Sequence, residues 1–471
     1  MDPSLECLQE WERRISATAE SLGLDCFPQE FELCDHREMI GYMAYSGMPS
    51  HYPHWSYGKA YEKMKTLYDY GVQGLPYEMV INSDPCLAYL MADNSVCLNL
   101  LTIAHVYGHN DFFKNNFTFS ATRPEFTISS FKSHSERVRS YVEDPSIGLE
   151  KVEYILDAAH ALSMQCRRDL AIRKLSPEEQ ADETFEASLP RHDPHPTIHR
   201  STEYVEPDLR RLPLRPEEDM LLFIRDYNPY LSEWEKDLLT IVHEEAQYFI
   251  PQIETKIMNE GWASFWHYHL MNSLELPDDM RLEFMVHHNQ VLRPNPGALN
   301  PYHVGFKIWE RIFTDIEGDV ALEPSLRSAG RDALFETRES ARDRSFLRRF
   351  LDKRLIRELG LFEYGKKRGE TVVTEVADDC GWEQIKETLV NNAGMAAIPV
   401  ITIEDADHCG RRGLLLKHRE DSRELDLEYA EKTLAHLYRL WGREISLQTV
   451  VTGRKTLMVF NDEGLATRSA E

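Results

Sequence analysis

The segment 105–116 reads HVYGHNDFFKNN and sets His105 and His109 four residues apart. On a helix that spacing puts both imidazoles on one face, roughly 5–6 Å apart at Cβ. Both can then reach one ion at about 2 Å from each ring nitrogen. It is the histidine spacing of a helix written H-E-x-x-H, in which the glutamate serves as general base of a zinc hydrolase. Here Val106 follows the first histidine, and valine cannot take a proton. Two ligands rarely hold an ion, so a metal reading requires a third from elsewhere in the chain. The competing reading is a pair of core histidines bonded to backbone or carboxylates.

The third ligand is sought in MNEGWASFWHYHL, residues 258–270, where Glu260 precedes a glycine and an aromatic residue. The N-E-G-aromatic-A pattern resembles the second motif of gluzincin metallopeptidases, whose glutamate is the third zinc ligand. The resemblance implies a divalent-metal site of His105, His109 and Glu260, with zinc as the first choice. Here the two motifs stand about 150 residues apart, farther than in those peptidases. His267 lies seven residues after Glu260, on the same helix face but about 10 Å along the axis. It fits a supporting group, a proton carrier or a substrate contact better than a shared ligand.

Glu153, Asp157 and His160, spaced four and three apart, could add a ligand or orient an imidazole. As an i, i+4 carboxylate pair they also read as a solvated helix face. His287 and His288 are adjacent and point apart, so at most one enters a shared site, and we take His287 as the candidate. With Val106 excluded, the candidates for the missing base are His267, Glu244, Glu245 and Asp111.

These residues need elements to carry them. Helical periodicity runs through 3–23, 59–70, 146–172, 230–249, 254–274, 278–292, 302–314 and 331–359. The apolar run 84–112 reads as one long or broken helix bearing His105 and His109. Residues 175–218 are rich in proline and charge and read as a long surface loop, with solvated His192, His195 and His199. No strand-rich stretch is expected before about 370. Beyond it, strands at 371–376, 398–405, 413–419, 445–451 and 456–460 alternate with helices at 382–394 and 427–442. That order is the β-α-β-β-α-β pattern of a ferredoxin-like domain with one strand added. The expected class is α+β: a mainly helical part over 1–365 and a small ferredoxin-like C-terminal domain over 370–465.

Composition narrows the function classes. With 79 acidic against 53 basic residues the net charge is −26, which argues against nucleic acid and anionic lipid as partners. The basic run 342–354 fits a packed amphipathic helix. The eight cysteines form no C-x-x-C pair and read as free thiols of a reducing compartment. The start MDPSLECLQEWERR lacks the basic and apolar blocks of a signal peptide. No apolar stretch reaches spanning length, so a cytoplasmic protein is expected. There is no P-loop, dinucleotide fingerprint or nucleophile elbow.

Five longer segments occur in one order: GMPSHYPHWSYGKAYEK (47–63), YEMVINSDPCLAYL (77–90), HVYGHNDFFKNN (105–116), QYFIPQIETKIMNEGWASFWHYH (247–269) and NPYHVGFKIWERI (300–312). Together they resemble the SpoVR family, stage V sporulation protein R and its relatives in non-sporulating bacteria. The stretch 336–364 and LWG at 440–442 fit as well; His243 departs, where a basic residue is expected. The resemblance implies a cytoplasmic bacterial protein connected with sporulation, spore cortex formation and stress response. It also implies as partners a PrkA-type serine protein kinase and a von Willebrand A-like protein. It hands over no reaction, so two functions stand: a metal-dependent hydrolase acting on a peptide or cell-wall precursor, and a non-enzymatic scaffold.

Overall fold

The computed structural model describes residues 5–72, 78–168, 172–189, 206–294, 298–318, 328–367, 370–376, 378, 381–421 and 423–469. His192, His195 and His199 lie outside them. The chain forms two compact units, each made of two separated stretches: 1–140 with 247–397, and 141–246 with 398–471.

In the first unit the helix Val96–Asn115 is buried along nearly its whole length. It has almost no solvent face and lies inside the core, its buried polar side chains included. Ser95 caps it, its side chain accepting from the amide of Leu98 at 3.1 Å. A second buried helix, Lys256–Ser273, packs against it and against a third, Pro301–Glu317. Thr255 offers this second helix no side-chain cap. Asp343 caps it from a distance, accepting from the amides of Ile257 and Met258 at 2.8 Å each.

Two close approaches decide the crossings. A Cβ on Gly261 would collide with the backbone of Gly305, and one on Gly108 would stand 2.6 Å from the Cα of Ala263. The aromatic rings of Trp262, Trp266 and Trp309 fill the surrounding core, all fully buried.

The first unit also holds a sheet that periodicity does not announce. Gln29–Cys34 pairs in parallel with Cys86–Met91, which pairs antiparallel with Met79–Ile81. The expected long helix over 84–112 is therefore a strand, a turn and a helix. Cys86–Met91 is buried almost throughout, and a short continuous apolar run reads equally as buried strand or buried helix. The break expected between the helices at 230–249 and 254–274 falls at Thr255, because the helix Glu233–Glu254 carries Pro251 within it.

The second unit is built on a five-stranded sheet. Its strands run in chain order: Ile401–His408, Gly413–His418, Ile445–Val451, Arg454–Asn461 and Gly464–Ser469. Only the second and third pair in parallel, and a parallel pair needs a crossover. The helix Leu427–Trp441 supplies it and stops at Gly442, whose φ of +74° is the left-handed cap. It packs on the helix Leu149–Leu162 from the other stretch of this unit.

The α+β class holds. The ferredoxin-like order is corrected: the strand Glu370–Glu375 pairs with Glu363–Lys367 in a separate hairpin, and the helix Gly381–Asn392 packs on Asp343–Phe350 in the first unit. The interleaved units also differ from a linear division into 1–365 and 370–465. Part of the expected loop over 175–218 is ordered as the helix Pro177–Ser188, started by a capping box of Ser176 and Glu179. Among the described residues, no helix is long and apolar enough to cross a membrane.

Candidate metal centre

Four side chains of the first unit converge: Glu78, His105, His109 and Glu260 each offer a ligand atom, all within 4.8 Å of one another. His105 and His109 come from one face of Val96–Asn115, as their spacing requires. Glu260 comes from Lys256–Ser273, and Glu78 from the residue before the strand Met79–Ile81. His105 Nε2 lies 3.1 Å from Glu78 Oε2 and 3.9 Å from Glu260 Oε2. His109 Nε2 lies 3.8 Å from Glu78 Oε1 and 3.5 Å from Glu260 Oε2. Ligands about 2.1 Å from one tetrahedral ion stand roughly 3.4 Å apart, so this spread fits a single ion.

Two further observations fit a cation. Oε2 of Glu78 and Oε2 of Glu260 are buried and lack a well-aligned hydrogen bond, a costly state for a carboxylate oxygen, although imidazole nitrogens stand 3.1 and 3.5 Å away. Two ionised carboxylates with two neutral imidazoles carry −2, which one divalent ion neutralises. Without an ion the four groups compensate one another. Burial works against charge on His109, but the Glu260 and Glu78 carboxylates outweigh it and lift it to about 10. Burial likewise opposes charge on Glu260, and the two imidazoles overcome it and pull it down to about 2. Glu78 is lowered by the same imidazoles against the same burial.

The outward-facing nitrogens are spoken for. His109 Nδ1 donates to Asn259 Oδ1 at 2.8 Å, which turns Nε2 toward the two carboxylates. His105 Nδ1 meets His267 Nδ1 at 2.8 Å, and His267 Nε2 meets His288 Nδ1 at 2.7 Å. Burial, then the neighbouring imidazoles, keep His267 well below its usual range, and His288 falls to about 4 mainly through burial. The three rings form a chain of contacts behind the site.

Each letter of N-E-G-W-A thereby has a task. Asn259 orients His109, and Glu260 enters the cluster. Gly261 admits Gly305, Trp262 Nε1 donates to Asp111 Oδ2 at 2.9 Å, and Ala263 meets Gly108.

The sequence-predicted residues divide clearly. His105, His109 and Glu260 come together, and His267 stands behind His105, fully buried. His288, not His287, is the neighbour of His267; His287 Nε2 lies 3.5 Å from Glu283 Oε1 on its own helix. A helix separates adjacent side chains by about 100°, and here the buried one of the pair turns inward. Glu153, Asp157, His160, Glu244 and Glu245 belong to the second unit and are not among the four. The Asp111 carboxylate is occupied, accepting from Arg338 Nη1 at 2.6 Å and from the amide of Asp25 at 2.8 Å besides Trp262.

Sequence reasoning missed Glu78 and Tyr302, whose Oη lies 3.5 Å from Glu78 Oε1. Glu78 sits outside any periodic run and announces nothing. Its only sequence signal is its place near the start of YEMVINSDPCLAYL, one of the segments that carry the family resemblance.

The comparisons with known proteins bear on the whole chain. The family described as SpoVR like protein matches residues 2–398, and SpoVR-like C-terminal domain matches 399–452. A relative from Escherichia coli (strain K12), the uncharacterized protein YcgB, is 30% identical over 481 residues, covering 95% of this chain and 92% of its own. No solved structure matches the chain. With its two family matches meeting at residues 398 and 399 and spanning nearly the full sequence, the chain belongs to the SpoVR family.

Proposed function

We propose that this protein is a metal-dependent hydrolase whose ion is held by Glu78, His105, His109 and Glu260. The observation that carries the reading is the convergence of four ligand atoms within 4.8 Å, two of them buried carboxylate oxygens that lack a well-aligned hydrogen bond. Zinc is the first choice, since two imidazoles with carboxylates suit it. A bound divalent ion would polarise a carbonyl and make water acidic.

The chain's own residues do the rest. Asn259 and His267 fix the two imidazoles. Val106 is buried and apolar and takes no proton, while the Tyr302 phenol, 3.5 Å from Glu78 Oε1, stands beside the ligand set as a donor. A peptide or cell-wall precursor is the substrate class we favour. From family membership we infer a cytoplasmic role in sporulation and spore cortex formation, or in stress response where no spore is made. The inferred partners are a PrkA-type serine protein kinase and a von Willebrand A-like protein.

One observation favours the scaffold reading, namely valine where a peptidase helix carries its glutamate base. The deciding experiment is metal content by mass spectrometry on untagged protein, alongside His105→Ala, Glu260→Ala and Glu78→Gln. About one divalent ion per chain, lost in all three folded variants, is the expected result. A folded wild type without metal that also takes up none from a zinc, iron or manganese panel supports the scaffold reading instead.

A further inference from the structure

The second unit contains a cleft of about 640 Å³, a volume typical of small-ligand sites. Four of its lining residues are arginines, Arg210, Arg211, Arg412 and Arg443, and none is lysine. Elsewhere arginines are commonly ion-paired, as Arg173 is with Glu179, Arg311 with Asp352 and Arg338 with Asp111. Among the described residues these four make no ion pair with a carboxylate, in a chain of net charge −26. The guanidinium fork matches phosphate oxygens two at a time, which an ammonium does not.

The cleft is constructed rather than incidental. Ala406 N donates to Leu212 O at 2.8 Å and Arg211 Nη2 to Glu404 O at 2.9 Å, pinning one wall. Asn228 Nδ2 donates to Leu440 O and Trp441 Nε1 to Arg412 O, each at 2.8 Å, pinning the other. The strand Ile401–His408 shifts register twice, around Asp405 and before His408, and such bulges re-aim side chains beside sites. Arg412 stands at φ +57° in the turn before the strand Gly413–His418.

The three lining aspartates face their own turns. Asp208 accepts from the amide of Arg210, Asp405 from that of Asp407, and Asp407 from that of Arg412. Four arginines against three aspartates leave the lining at +1. Two exposed phenols, Tyr227 and Tyr230, line the same cleft, and the Arg443 guanidinium stands 5.4 Å over the Tyr230 ring.

Forks for phosphate beside the exposed Tyr230 ring select a ligand with both a polyphosphate and a flat ring. We propose that this cleft binds a nucleotide carrying two or more phosphates, its phosphates on Arg412 and Arg443 and its base against Tyr230.

The test is calorimetric titration of the full chain with adenosine and guanosine triphosphate, inorganic pyrophosphate and a poly-glutamate peptide. Variants are Arg412→Gln/Arg443→Gln and Tyr230→Ala, checked for unchanged thermal unfolding. The proposal expects nucleotide binding in the wild type, at least a tenfold loss in the double arginine variant, and a loss for nucleotide but not pyrophosphate in Tyr230→Ala. No nucleotide binding at millimolar concentration overturns it, as does binding unchanged by the arginine substitutions. Preference for the acidic peptide makes the cleft a protein-docking site and overturns it equally.

Discussion

Glu78, His105, His109 and Glu260 are four ionisable groups in a space where none can be solvated fully. In the metal-free protein their compensation sets a pH window. Glu260, lowered from 4.5 to about 2, contributes stability that is present above 4.5 and is lost as pH falls toward 2. His109, raised from 6.5 to about 10, contributes stability that is full below 6.5 and is lost as pH rises through 10. Metal-free protein is therefore expected to be most stable between those limits, at mildly acid pH. Glu260→Gln should flatten both flanks, which denaturant unfolding across pH would show. An alkaline flank that persists unchanged in Glu260→Gln would assign it to another group. At this scale the sequence displayed His105, His109 and Glu260, because two of them share a helix period and the third a motif. It could not choose between His287 and His288, because adjacency fixes only that they diverge.

The helices that carry these residues meet at points where only glycine fits. Gly261→Ala places a methyl against the Gly305 backbone, so the helix Lys256–Ser273 must move and take Glu260 with it. Overpacking of this kind costs about 1–3 kcal/mol, and the expected outcome is reduced stability in urea together with loss of bound metal. Gly41→Ala is the matched control. It lies inside the helix His36–Ala44 with open space around it, and the change should gain about 0.5–1 kcal/mol. Equal effects at the two positions would show that the crossing is not what limits Gly261. Element boundaries were legible where caps mark them, as with Gly442 after Trp441. They were not legible in LAYLM, whose unbroken apolar run carries no period to read.

The two compact units interleave, and this has a consequence for dissection. A chain ending at residue 398, the end of the first family match, keeps the helix Leu149–Leu162 but loses its packing partner Leu427–Trp441. Val152, Ile155, Leu156 and Ala159, all buried in the whole protein, would then face water. Such a chain is expected to aggregate or to bind a hydrophobic dye, measured beside the full chain at equal concentration. A soluble, dye-silent product would support the linear division into 1–365 and 370–465 instead. The α+β class, the helical richness and the three cluster residues that carry motifs were set by the sequence itself, since periodicity and spacing are local properties. Glu78, the inward turn of His288, the sheet joining residues 29–34 to 86–91 and the interleaving of the units were decided only by tertiary structure. Each depends on which distant segments bury one another, and the physics of burial acts on the folded surface rather than on neighbours along the chain.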